Sequence, residues 1–125
     1  MKNTMKKRIL IVEDDVSLSN VLQEKLASLE YDLMTVPDGE KIVEVTKSYA
    51  PDLILLDLVL PGRSGFEILE ELKIKNKIST PVIILTNLNQ PEDQKHGHDL
   101  GAIDYILKSN TSLKDISIKI TKALS

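Results

Sequence analysis

Leu53-Ile54-Leu55-Leu56-Asp57 is a run of four apolar residues closed by a carboxylate, and the pattern recurs along the chain. Ile9-Leu10-Ile11-Val12 runs straight into Glu13-Asp14-Asp15, Val82-Ile83-Ile84-Leu85 ends on Thr86, and Ile103-Asp104-Tyr105-Ile106-Leu107 ends on Lys108. Short, continuous apolar runs suit strands buried on both faces, which are characteristic of parallel sheets. Parallel strands all end at the same edge, and open α/β sheets place their ligand sites at that carboxyl edge. Three carboxylates, a hydroxyl and an ammonium would converge there, a set that suits a metal ion and a phosphoryl group.

Helical patterns fill the intervals. Leu18, Val21, Leu22, Leu26 and Leu29 mark one face of a first helix. Asp32 to Val36 reads as a weaker strand, because Met34 and Thr35 make it less uniformly apolar, and this predicts an edge position. Pro37-Asp38-Gly39 turns the chain before a second helix marked by Ile42, Val43, Val45, Thr46 and Tyr49. Ser64 and Glu67 form a capping box ahead of Phe66, Leu69 and Leu72. Pro91 suits the first turn of a fourth helix, capped by Asn89 or Gln90. That helix offers almost nothing apolar before Leu100, and Gly97 at its centre costs about 1 kcal/mol relative to alanine, so it is expected to be the least firmly packed. Thr111 and Ser112 open the last helix, with Leu113, Ile116, Ile120 and Leu124 as its stripe. Strict alternation predicts a single doubly wound (βα)5 α/β domain with a parallel five-stranded sheet. With the most apolar runs central and the second and fifth at the edges, the order is 2-1-3-4-5, the flavodoxin-like order.

Composition bounds the rest. A chain of 125 residues fits one domain over 1–125, with a core from roughly Lys7 to Leu124 and no visible linker. A formal net charge of −3 gives no global attraction to nucleic acid or anionic membrane. The absence of cysteine excludes disulfides and thiolate metal sites and is compatible with a reducing cytoplasm. The apolar runs are far too short to cross a bilayer. Met1 to Arg8 is basic, but three acids cut short the apolar stretch behind it, which argues against a signal peptide.

These residues, in this order and at strand ends, resemble the receiver domain of two-component response regulators. The resemblance rests on Asp14-Asp15, on Asp57 within Asp57-Leu58-Val59-Leu60-Pro61-Gly62-Arg63-Ser64-Gly65, on Thr86, on Gly101-Ala102-Ile103-Asp104-Tyr105 and on Lys108. It implies that Asp57 accepts a phosphoryl group from a sensor histidine kinase or a phosphotransfer protein. It implies Mg²⁺ held by Asp15, Asp57 and the backbone carbonyl of Val59, with Asp14 contributing directly or through water and Glu13 a bystander. Gathered carboxylates repel one another and burial pushes protons onto them, a conflict that a divalent cation removes. A plainer reading of Asp15 has its charge at the positive end of the first helix. By the same resemblance Lys108 neutralises a phosphoryl oxygen and Thr86 hydrogen-bonds the transferred group. Tyr105 is the switch aromatic, and output passes to a downstream protein through the fourth helix, last strand and last helix. The implied protein is cytoplasmic, does not contact nucleic acid or membrane directly, and is a monomer that can pair on phosphorylation.

Three departures stand out. Ser109 follows Lys108 where most receivers carry a cis proline; a non-proline cis bond costs about 3–4 kcal/mol, so a trans bond or a rearranged loop is expected. Asn87 follows Thr86 where a small residue is usual, and the fourth helix is unusually polar. Asn87 and the missing proline are the features that favour the alternative of a non-phosphorylated pseudo-receiver acting as a protein-binding module. A flavin carrier on the same fold would want a Gly/Ser/Thr-rich loop after the first strand, where this chain has three acids. His96 and His98, two apart, do not share a helical face and form no metal pair.

Overall fold

The apolar runs form strands, and the polar-faced intervals between them wind into helices that cover both sides. The computed structural model describes residues 6–125, so most of the basic stretch read as Met1 to Arg8 lies outside the described residues. In chain order the elements are β1 (Arg8–Val12), α1 (Val16–Ser28), β2 (Asp32–Val36), α2 (Ile42–Tyr49), β3 (Leu53–Leu56), α3 (Gly65–Glu70), β4 (Val82–Thr86), α4 (Pro91–Asp99), β5 (Asp104–Leu107) and α5 (Leu113–Leu124). α3 runs on into a π turn, Glu71–Lys75, and β5 into a 3-10 turn, Lys108–Asn110. All strand pairs are parallel and the sheet order is β2-β1-β3-β4-β5, as the residue patterns predict.

Alternating side chains divide the core in two. Leu10, Val12, Ile54, Leu56, Val82 and Ile84 pack with Ile42 of α2 and Ile68 and Leu69 of α3 on one face. Ile9, Ile11, Leu53, Leu55, Ile83 and Leu85 pack with Leu22 and Leu26 of α1 and Ile116 and Ile120 of α5 on the other. β4 is buried throughout, whereas β2 leaves Asp32 and Met34 exposed, which is the edge character expected of it. Ser64 caps α3 by accepting the Glu67 N–H at 3.2 Å, and Ser112 caps α5 by accepting that of Asp115 at 3.0 Å.

α4 has Gly97 as its one buried residue. A Cβ there would lie 2.5 Å from the Ile84 Cδ1 and 3.6 Å from the Tyr105 ring, so the glycine lets the helix backbone approach the sheet. One residue earlier, the His96 ring stacks on Phe66 of α3 at 4.4 Å between centroids. α4 is therefore held by close approach and one stacked pair rather than by an aliphatic stripe. Every peptide bond among the described residues is trans, including Lys108–Ser109.

Candidate functional site

Strand register decides which acids meet. Val12 of β1 lies opposite Leu56 of β3, and the Asp57 N–H continues the ladder by donating to the Val12 carbonyl at 3.1 Å. Glu13 and Asp57 are thus equivalent positions, one step past the ends of adjacent parallel strands. Both are 5% exposed. Carboxylate oxygens from Glu13, Asp14 and Asp57 lie within 4.8 Å of one another, with Asp14 on the exposed side.

Lys108 closes the group from β5. Its Nζ is 2.7 Å from the Asp57 Oδ2 and 2.7 Å from the Glu13 Oε1, with only 13% of its side chain exposed. The second oxygen of each carboxylate is also engaged. The Val59 N–H donates to Asp57 Oδ1 at 3.2 Å, and the Asp15 N–H donates to Glu13 Oε2 at 3.1 Å. Burial raises the Glu13 pKa above its ordinary value, with the Asp57 charge adding to the effect and the bonds from Lys108 and the Asp15 N–H opposing it. Burial pulls the Lys108 pKa down, but its hydrogen bonds to Asp57 and Glu13 outweigh that and leave it raised, so it stays an ammonium.

Residues read from the sequence fall into two groups. Asp14, Asp57 and Lys108 come together. Thr86, fully buried at the end of β4, has its Oγ1 3.4 Å from the Leu88 N–H, and the Tyr105 hydroxyl donates to the Leu88 carbonyl at 2.7 Å. The Tyr105 ring is thereby tucked against the β4–α4 loop. Burial, with the charges of Asp93 and Asp57, pushes its hydroxyl pKa to about 12. Val59, whose carbonyl is the backbone group of interest, is 57% exposed in the loop after Asp57. Gly65 ends that loop where a Cβ would run into the Asp57 carbonyl, which explains the glycine there.

Asp15 stands apart from the other acids. Expected as a direct ligand, it is exposed, outside the acidic group, and caps α1 by accepting the Leu18 N–H at 3.1 Å on Oδ1. Glu13, expected as a bystander, takes its place in the cluster. The signal that identifies Glu13 is its rank: it closes the β1 run as Asp57 closes the β3 run. Asn87 is exposed, and Lys108 reaches Asp57 across a trans bond to Ser109.

A trio of acids, two of them buried, facing a lysine at the carboxyl edge of a 2-1-3-4-5 sheet has close relatives. Residues 9–120 match the response regulator receiver domain. The chain belongs to that family. Among curated receivers it is 46% identical over 101 residues to the transcriptional regulatory protein CiaR of Streptococcus pneumoniae, covering 81% of this chain and 44% of that one. It is 38% identical over 104 residues to the alkaline phosphatase synthesis transcriptional regulatory protein PhoP of Bacillus subtilis, covering 83% and 43%. This receiver thus spans less than half the length of those regulators. Among solved structures, the BeF3-activated N-terminal receiver domain of Klebsiella pneumoniae RstA superposes with a TM-score of 0.87 at 30% identity, covering 94% of this chain and 98% of that one. The non-phosphorylated HemR receiver domain of Leptospira biflexa gives 0.87 at 32%, covering 96% and 95%. No helix among the described residues is long and apolar enough to cross a membrane.

The acidic group also fits a divalent cation. Three carboxylates drawn this close, two of them buried, repel one another, and a hard cation takes oxygen ligands of this kind.

Proposed function

We propose that Asp57 is the phosphoacceptor of a two-component or phosphorelay pathway, charged by the phosphohistidine of a sensor histidine kinase or phosphotransfer protein. The observation that carries this reading is the buried Asp57 carboxylate with the Lys108 ammonium 2.7 Å away. An Asp57 carboxylate oxygen attacks phosphorus, the P–N bond breaks, and its electron pair leaves with the donor imidazole, giving an acyl phosphate. The transition state is loose, so transfer depends on positioning and charge neutralisation. Glu13, Asp14 and Asp57 would hold Mg²⁺ with the Val59 carbonyl, in place of the set that included Asp15. Bound there, the ion neutralises charge on the phosphoryl oxygens.

The remaining roles belong to the chain itself. Lys108, a compact cation with three donors, pairs with a phosphoryl oxygen once Asp57 is esterified. Thr86 offers its hydroxyl to another oxygen, and Tyr105 reports the change through the loop carbonyl that it already holds. Output passes to a downstream protein over α4, β5 and α5. A cavity of about 650 Å³ on this side is lined by Ile103, Asp104, Ile118, Lys119 and Lys122, with Ile103 and Ile118 about half exposed. The acyl phosphate is later hydrolysed, which resets the site. Lys108 keeps its reach to Asp57 with Ser109 behind it, which weighs against a pseudo-receiver.

Incubation with acetyl phosphate and Mg²⁺, followed by intact-mass measurement, tests the reading. One added phosphoryl group is expected, absent without Mg²⁺ and absent in Asp57→Asn. An adduct that persists in Asp57→Asn would place the acceptor elsewhere.

A further inference from the structure

Lys108 is held by two carboxylates, and only one of them takes part in bond making. The lysine stem carries several freely rotating bonds, so an unanchored ammonium samples many positions. Its backbone gives little direction, since Lys108 opens a 3-10 turn whose other two residues, Ser109 and Asn110, are exposed. The aim of Nζ is set instead at the far end of the side chain, by Asp57 Oδ2 and Glu13 Oε1 at 2.7 Å each. Esterification of Asp57 removes the negative charge from that carboxylate. Glu13 is unchanged by the chemistry, and its other oxygen is pinned by the Asp15 N–H at 3.1 Å. Asp15 in turn is fixed as the N-cap of α1.

From this geometry we infer that Glu13 is a positioning residue: it aims Lys108 at the phosphoryl group through a charge-assisted hydrogen bond anchored at the start of α1. The inference rests on the phosphoacceptor reading and assigns Glu13 a task beyond contributing to the acidic group. The role requires reach more than charge. Glutamine keeps the length and one accepting oxygen, enough for Lys108 but not for the Asp15 N–H as well, whereas aspartate keeps the charge on a stem one methylene shorter. A metal-holding role alone requires the opposite.

Phosphorylation rates from acetyl phosphate are therefore compared at saturating Mg²⁺ by intact-mass time courses. The set is wild type, Glu13→Gln, Glu13→Asp, Lys108→Ala and the Glu13→Asp/Lys108→Ala pair. Both Glu13 variants are expected to be slower than wild type, since both alter the acidic group, with Glu13→Asp the slower of the two at about a tenfold loss, the scale of a misaligned reacting group. Once Lys108 is removed, Glu13→Asp should cost nothing further, because its effect runs through the lysine. A Glu13→Gln variant slower than Glu13→Asp, or losses that multiply in the pair, would overturn the inference. A metal-free readout separates it from the phosphoacceptor reading. The ¹⁵N ammonium signal of Lys108 should be protected from solvent exchange in wild type and Glu13→Gln and lost in Glu13→Asp. Equal protection in all three overturns the positioning role, whereas a wild type that takes no phosphoryl group while showing the expected protection sinks only the phosphoacceptor reading.

Discussion

Replacing Asp15 by alanine removes a helix cap and leaves the acidic cluster whole, so it separates the two ligand sets directly. In the folded chain the Asp15 Oδ1 accepts the Leu18 N–H at 3.1 Å, the one side-chain cap on a 13-residue helix. Loss of an N-cap acceptor costs about 1 kcal/mol. The carboxylate also faces the positive end of α1, worth about 0.3–1 kcal/mol at an exposed site, a contribution that overlaps the first. Alanine should therefore destabilise by about 1–1.5 kcal/mol. For a chain of this size that lowers Tm by about 4–6 °C. Asparagine keeps the acceptor and loses only the charge, so its Tm should fall by about 2 °C. Thermal and urea melts followed by circular dichroism, with and without Mg²⁺, measure both effects. The stabilisation conferred by Mg²⁺ and the rate of phosphorylation from acetyl phosphate should match wild type in both variants. In Asp14→Asn the Mg²⁺ response should be largely lost. If Asp15→Asn instead keeps its Tm but loses the response to Mg²⁺, Asp15 is a ligand and the exchange of Asp15 for Glu13 is refuted.

The packing of α4, the Tyr105 anchor and the buried Glu13 each dictate a further outcome. Gly97→Ala improves helix propensity by about 1 kcal/mol but places a Cβ 2.5 Å from the fully buried Ile84, and overpacking costs about 1–3 kcal/mol; a net loss near 1 kcal/mol is expected in urea melts, and a stabilised variant would show that α4 does not rest on this contact. Tyr105→Phe removes the donor to the Leu88 carbonyl and should cost about 1 kcal/mol, with amide shifts concentrated in the β4–α4 loop; unchanged Leu88 and Asn89 resonances would mean that the ring does not anchor it. Burial raises the folded-state pKa of Glu13, so the folded chain binds the proton more tightly than the unfolded one; the associated stability is full below the unfolded carboxylate range and declines as pH rises through the raised value. Metal-free wild type should accordingly lose stability relative to Glu13→Gln between about pH 4 and neutrality, and a parallel pair of pH profiles would contradict the burial argument.

How much of this was legible in the residues depends on the range over which the deciding interaction acts. Strand identity and order were legible because an unbroken Ile/Leu/Val run has few other uses in a chain this short, and because Met34 and Thr35 locally betray the exposed edge. The Ser64–Glu67 cap was legible because donor and acceptor lie three residues apart. Gly97 was not. Its cost is local, but its compensation comes from Ile84, a strand away, so sequence alone reads it as a defect.

The acidic loop was ambiguous for a subtler reason. Glu13, Asp14 and Asp15 offer three similar charges, and the resemblance rests on the pair Asp14-Asp15. Register favours rank instead: Val12 opposite Leu56 makes Glu13 the partner of Asp57, while two residues later the chain has already turned into α1 and Asp15 is committed to its cap. The Glu13 carboxylate at that rank reaches the Lys108 ammonium at 2.7 Å. Which acid lies beside Asp57 and Lys108 is therefore a question of strand ends rather than of carboxylate chemistry, and counting residues from the last apolar position of β1 and of β3 identifies it.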